Sequence, residues 1–276
     1  MFHSIKVLTK SSIVSFAKSL KSNKIGRYFL EQVLNTAMNQ FAQVDHKGFS
    51  LKITIPNGLN QYRIDTFSTK EPETLNWIDQ LPLGAVFWDI GANVGLYSCY
   101  AAKVRQCKVF AFEPSIFNLE LLTRNLYLNN VTEQVTIVPL ALNDETKTAK
   151  FIMSTTEWGG AVSTFGQSYT QDGSELAKVF EFKTVGMSMD EVVTKLNIPQ
   201  PDYIKMDVDG IEHLILKGGR QVLKDVKGIL VEINDNFEKQ KNDATIFLHE
   251  AGLKLIDKQH VETFNESVCY NQIWGR

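Results

Sequence analysis

The sequence has no apolar run near the ~20 residues that a helix needs to cross a bilayer. It has only seven prolines and 17 glycines in 276 residues, which excludes collagen-like and low-complexity chains. Cysteine is scarce. Cys99, Cys107 and Cys269 form no C-x-x-C pair, and none stands beside a histidine at zinc spacing. An odd, sparse set of thiols fits a reducing compartment. The first residues lack the apolar stretch of roughly 7–15 residues and the small-residue cleavage site of a secretory signal, so a cytoplasmic location is expected. A surplus of positive charge is also missing: the net charge is −2, which argues against nucleic acid as the main partner. What is present, 43% hydrophobic and 22% charged residues, suffices for one large α/β domain with a real core.

Charge is unevenly placed. Residues 1–27 carry Lys6, Lys10, Lys18, Lys21, Lys24 and Arg27 and no acid, a balance of +6 that leaves −8 on the rest. Ile13, Val14, Phe16, Ala17 and Leu20 interleave with the lysines, a basic amphipathic helix. It packs on the main body or rests weakly on an anionic membrane surface. A second helix is expected over 28–41. A hairpin should follow, with Leu51, Ile53 and Ile55 alternating, Pro56-Asn57-Gly58 as its turn, and Tyr62-Arg63-Ile64 as its return strand. These parts form an N-terminal extension, residues 1–69, ahead of a main domain over 70–276. That domain opens with a helix over 72–81.

From residue 86 onward, strand and helix alternate. Strands are expected over 86–90, 108–112, 135–140, 203–206 and 228–233, with closing strands over 253–258 and 268–274. Helices are expected over 96–103, 116–129 and 244–251, and another follows the strand at 203–206, with Glu212 in its first turn, and runs to about residue 222. This rhythm predicts a Rossmann-like, mostly parallel, doubly wound sheet. Residues 143–201 interrupt it with text rich in Ser, Thr and Gly, placed over the carboxyl ends of the strands, where ligands bind.

The richest segment is Asp89-Ile90-Gly91-Ala92-Asn93-Val94-Gly95, which follows a strand and opens a helix. Gly91 and Gly95 allow a sharp turn and close approach to a ligand. Glu113 ends the next strand, 18 residues after Gly95, where a carboxylate can accept both ribose hydroxyls. A dinucleotide would want glycine where Asn93 stands, and Asp89 would set negative charge beside its pyrophosphate. S-adenosylmethionine has no phosphate and carries an ammonium and a sulfonium, so the pattern favours it. An NAD-dependent oxidoreductase and a non-catalytic nucleotide-binding module are the alternatives.

The chain resembles the FkbM-type S-adenosylmethionine-dependent methyltransferases. The resemblance is carried by Lys70-Glu71-Pro72-Glu73-Thr74, by the Asp89–Gly95 turn, and by Phe112-Glu113-Pro114. It continues through Ala141-Leu142-Asn143-Asp144, Ile204-Lys205-Met206-Asp207-Val208-Asp209-Gly210-Ile211-Glu212, Leu216-Lys217-Gly218 and Leu230-Val231-Glu232-Ile233. It spans roughly residues 70–234. It implies a class I methyltransferase fold and methyl transfer, most often to oxygen, on a sugar or natural-product hydroxyl. It also adds Asp144 to the cofactor residues Asp89, Gly91, Asn93, Gly95 and Glu113. One departure is Asp209, where the family usually has Glu; the charge is kept and the reach is shorter.

On the acceptor side, Lys205 and Asp207 are two residues apart on a strand and share a face. A lysine on a central parallel strand is costly unless paired or used, so Asp207 and Lys205 are the catalytic candidates. Asp209, Glu212 and Trp158 are candidates for substrate binding; Trp158 could stack on a sugar face. A metal is not favoured. Were Mg²⁺ bound, Asp207, Glu232 and Asn234 would be its hard oxygen ligands, a layout that resembles the catechol-type O-methyltransferases. His213, His249 and His260 are expected at the surface.

Overall fold

The computed structural model describes residues 2–260 and 268–276. At its centre is a seven-stranded sheet. Five strands run parallel: β3 (Val86–Ile90), β4 (Lys108–Phe112), β5 (Val135–Val138), β10 (Tyr203–Met206) and β11 (Gly228–Asn234). β13 (Cys269–Gly275) runs antiparallel to β11, and β12 (Lys254–His260) antiparallel to β13. The order across the sheet is β12-β13-β11-β10-β3-β4-β5. The mostly parallel doubly wound sheet expected from the βα rhythm is present. Succession runs outward through β4 and β5 on one side of β3 and through β11 on the far side of β10. The order therefore reverses between β3 and β10, the crevice where ligands bind in open α/β sheets.

The strands are buried on both faces, and period-two alternation divides them between two cores. Trp88, Ile90, Phe110, Phe112, Ile204 and Met206 belong to one. Phe87, Val109, Ala111 and Leu230 face the other, with Leu75, Trp77 and Ile78 of α4 (Pro72–Asp79) and Cys99 and Tyr100 of α5 (Leu96–Arg105). Lys205 stands opposite Asp89 in the β10–β3 register and opposite Leu230 in β10–β11. The same parity puts Asp89, Lys205, Asp207 and Glu232 on the α5 side of the sheet.

The N-terminal part holds α1 (Phe2–Leu20), α2 (Lys24–Met38), the hairpin of β1 (Phe41–His46) and β2 (Phe49–Thr54), and α3 (Gly58–Asp65). The hairpin is displaced from its expected place. Its turn is Lys47-Gly48, with φ of 47° and 85°, and Pro56-Asn57-Gly58 opens a helix instead. Asn57 caps α3, its Oδ1 accepting the Asn60 amide at 3.0 Å, so Tyr62-Arg63-Ile64 is helical. The hairpin belongs to the main packing: Leu51 shares the core of Phe87, and Val44 packs against it. Asn125 and Asn129 of α6 (Ile116–Leu128) and its C-cap accept the Thr54 and Lys52 amides at 2.8 and 3.0 Å, covering an edge strand that would otherwise expose its amides.

The insertion is a small sheet of its own. It comprises β6 (Ala141–Leu142), β7 (Lys147–Met153), β8 (Ser163–Phe165) and β9 (Phe180–Met187), in the order β6-β9-β7-β8, and α7 (Met189–Leu196) follows it. The helical text after β10 divides into α8 (Glu212–Lys217) and α9 (Arg220–Asp225), and α10 (Glu238–Glu250) starts earlier than its apolar pattern suggests. The three cysteines are free and buried. Among the described residues, no helix is long and apolar enough to cross a membrane.

Candidate active site

Two hollows meet at the reversal point. Gly91 leaves β3 with φ +80°, and a Cβ there would lie 1.9 Å from the Asp207 carbonyl oxygen. Only glycine lets the exits of β3 and β10 come so close. Asn93 follows at φ +50°. Its amide donates to Glu113 Oε2 at 2.8 Å, and its Nδ2 donates to the Gly160 carbonyl at 3.1 Å. The Ser115 amide donates to Glu113 Oε1 at 2.7 Å. Burial pushes the Glu113 carboxyl up to about 7, against the two amides, which favour the charged form.

The first hollow is a narrow cleft beside Gly91, Asn93, Glu113 and Asp209, walled by Phe112 and Phe151. Its lining has carboxylates and apolar side chains and, among the described residues, no Lys, Arg or His. That donor set suits an adenosine whose ribose meets Glu113 and whose far end is cationic, which fits S-adenosylmethionine. It suits a pyrophosphate poorly. The Oδ1 of Asn93, buried without a hydrogen-bond partner, is a further acceptor at the cleft. The Gly160 carbonyl, held by Asn93 and by Asn118 Nδ2 at 3.1 Å, sets insertion backbone over it.

The second hollow, about 380 Å³, opens on the α5 side. Lys205 is 2% exposed, and its Nζ lies 3.1 Å from Asp207 Oδ2 and 5.1 Å above the Tyr97 ring. Burial alone would lower the Lys205 pKa; Asp207, Asp89 and Glu71 outweigh it and raise it. Burial likewise pushes Asp207 up, but Lys205, Lys70 and Arg63 hold its carboxyl below the usual range. Tyr97 donates to Glu71 Oε2 at 2.8 Å, and Lys70 pairs with Glu71 Oε1 at 2.6 Å. Glu232 is driven well above the ordinary carboxyl value by burial and by Asp207 and Glu71. Asp207 and Asp209 line both hollows. Asp209, at φ +60°, accepts the Val162 and Ser163 amides at 2.8 and 3.2 Å. Burial, then Asp207, raise it to about 6.

Other residues singled out in the sequence lie outside both hollows. Asp89 is 1% exposed and accepts the Ser98 hydroxyl at 2.6 Å, behind the turn and beside Lys205. Gly95 faces Leu122, whose Cδ1 would lie 2.3 Å from a Cβ at that position. Asp144 is ion-paired to Lys147 and Lys217 at 3.2 and 2.9 Å. Glu212 is buried and accepts the Val208 amide at 3.0 Å while meeting Gln240, which ties down the loop after β10. Trp158 packs against Met38, Val94 and Leu121. Asn234 uses its Oδ1 on the Asn236 amide and its Nδ2 on Cys269 Sγ. His249 is exposed. The His260 side chain lies outside the described residues. His213, expected at the surface, is 1% exposed; it packs edge-on to Phe237, 5.9 Å between centroids, and burial lowers its pKa to about 4.

Arg63 and Tyr97 escaped the sequence reading, and Lys70 and Glu71 entered it only as part of a motif. Lys70-Glu71 before a proline-started helix was a usable signal. Arg63 had none, because the groups that give it meaning are Gly159 and Asp207, far away in the chain.

The sequence matches the Methyltransferase FkbM domain family over residues 89–260. The hexuronic acid methyltransferase AglP of Haloferax volcanii is 28% identical over 208 residues, 75% of this chain and 79% of that protein. The methyltransferase sdnD of Sordaria araneosa is 38% identical over 72 residues, 26% of this chain and 28% of its own. Among solved structures, the methyltransferase FkbM of Methylobacillus flagellatus has a TM-score of 0.49 at 15% identity, covering 91% of this chain and 60% of that one. The family match spans more than half of the chain and includes the glycine turn, Glu113 and Asp207: this protein belongs to the FkbM methyltransferase family, whose methyl donor is S-adenosylmethionine.

Proposed function

We propose that the protein methylates a hydroxyl oxygen on a sugar or natural-product acceptor, with Asp207 as the proton acceptor and Lys205 as its positioning partner. The observation that carries this reading is the place of Asp207, which lines both the donor cleft and the larger chamber. S-adenosylmethionine supplies a methyl group already activated on sulfur. The chain's own task is then to hold an acceptor oxygen in line with it, and such positioning is worth ~7–11 kcal/mol. Gly91, Asn93 and Glu113 would hold the donor, and the chamber would hold the acceptor. Asp207 stays ionised at neutral pH and can take the hydroxyl proton as the new bond forms, a contribution of about 10²–10⁴-fold. Lys205 fixes that carboxylate by ion pair, and Asp89 and Ser98 stand behind Lys205. Glu232 lines the same chamber, where burial and the neighbouring acids favour its neutral form. AglP, named for a hexuronic acid, supports a sugar acceptor.

The test is Asp207→Asn. Turnover on any acceptor should fall at least about 10²-fold, while calorimetric affinity for S-adenosylhomocysteine stays near wild type. Near-normal turnover would remove Asp207 from the reaction. We propose also that α1 and α2 rest on an anionic membrane surface, a reading supported by their charge and exposed apolar side chains.

A further inference from the structure

The chamber holds three cations, and two of them are matched. Lys70 pairs with Glu71 at 2.6 Å and Lys205 with Asp207 at 3.1 Å. The third, Arg63 on α3, has no carboxylate within ion-pair distance among the described residues. Its Nη2 donates to the Gly159 carbonyl at 2.6 Å, and its Nε is buried with no hydrogen-bond partner. A guanidinium offers five donors in a planar fork that fits a carboxylate bidentately. Removing one from water without a partner is costly. The nearby acids do not repay that cost by contact: Asp207 is engaged by Lys205, and Asp209 by the Val162 and Ser163 amides.

We propose that Arg63 anchors a carboxylate subsite in the chamber, taking a carboxylate of a bound ligand on the edge of its guanidinium that carries Nε. The inference rests on the methyltransferase reading of the site. Two sources share this chemistry, the methionine carboxylate of the donor and a carboxylate on the acceptor sugar. Arg63 lines the same chamber as Gly91, Asn93 and Glu232, so a ligand from either source shares a wall with it.

The experiment uses the full chain, wild type and Arg63→Met, with Arg63→Lys as a second variant that keeps charge and loses the fork. Calorimetry is run with S-adenosylhomocysteine and with 5′-methylthioadenosine, which lacks the amino-acid arm. A donor subsite predicts that Arg63→Met weakens S-adenosylhomocysteine by about tenfold or more and leaves 5′-methylthioadenosine unchanged. An acceptor subsite predicts unchanged affinity for both. The wild type saturated with S-adenosylhomocysteine should then bind glucuronate about tenfold more tightly than glucose, a preference lost in Arg63→Met. Arg63→Lys should fall between in either case, and it carries the test if Arg63→Met does not fold. Equal losses for the two nucleosides, or no loss together with no glucuronate preference, overturn the proposal. Failure of the wild type to bind S-adenosylhomocysteine at all would instead mark failure of the methyltransferase reading.

Discussion

Glu113 ties two loops of the fold together and, in the proposed function, also holds the ribose of the donor. Each of its oxygens already accepts a backbone amide, from Asn93 and Ser115, the Asn118 side chain adds a third contact, and a carboxylate's four acceptor sites leave room for a ribose hydroxyl. Hydroxyl donors select the ionised carboxylate, whereas burial has raised its pKa to about 7. Below that value a proton must leave before the ligand binds, so affinity weakens as pH falls and levels off above it. S-adenosylhomocysteine should therefore bind roughly tenfold more weakly at pH 6 than at pH 8, read by calorimetry at both. Glu113→Gln should flatten that dependence, and Glu113→Ala should cost about 1–3 kcal/mol at pH 8. A wild-type affinity independent of pH across this range would mean that Glu113 does not meet the ribose. The place of Glu113 beside the glycine turn was legible because it ends the next strand, and the Asn93 amide meets it there. Arg63 and the burial of His213 were not, since nothing adjacent in sequence reports the loop or the aromatic ring that each one meets.

At the scale of elements, the parallel strands were legible nearly to the residue, because strands buried on both faces leave short apolar runs such as Val86–Ile90 and Tyr203–Met206. The hairpin was not. Pro56-Asn57-Gly58 has turn chemistry, but an asparagine side chain that accepts an amide three residues on also starts a helix, and the cap prevailed. The true turn carries Gly48 at φ +85° in open space, where a Cβ would meet nothing within 4 Å. Gly48→Ala would then suffer backbone strain alone, about 1–2 kcal/mol. The expected drop in melting temperature is about 2–8 °C for a chain of this size. Gly48→Asn should lose less, since asparagine tolerates this region better. An unchanged melting temperature in Gly48→Ala would contradict the turn geometry. The insertion's sheet was hidden for a different reason. β7 and β9 are half-exposed strands with lysines inside them, paired across some thirty residues, so their alternation is mixed and their register is set by a distant partner.

Across the whole molecule, positive charge and exposed apolar side chains concentrate together in the first two helices. Residues 1–27 carry +6 and the remainder −8. Lys18, Lys21, Lys24 and Arg27 are all exposed, and so are Phe16, Ile25, Tyr28 and Phe29, at 63, 82, 63 and 52%. Gly26 is buried where the helices cross, since a Cβ there would lie 1.9 Å from the Leu20 carbonyl; the elbow brings both helices into one basic, apolar arm. At the arm's base, Met38 packs with Val94 and Leu121, beside the donor turn. An anionic surface would attract the arm and repel the body, with the arm anchored next to the active site. Each Lys or Arg near such a surface contributes about 1 kcal/mol. The full chain should therefore sediment with phosphatidylcholine vesicles containing 30 mol% phosphatidylglycerol at about 50 mM salt, and come off near 500 mM as screening sets in. Pure phosphatidylcholine should retain little. Reversing three charges, in Lys18→Glu, Lys21→Glu and Lys24→Glu together, should weaken binding by about 100-fold or more. S-adenosylhomocysteine affinity should stay unchanged, because none of the three lysines reaches the cleft. Sedimentation of the triple variant equal to wild type would dismiss the membrane as the arm's partner. A dimer by light scattering that Phe16→Ser dissociates, with no vesicle binding, would dismiss it too and assign the apolar face to a second copy of the chain.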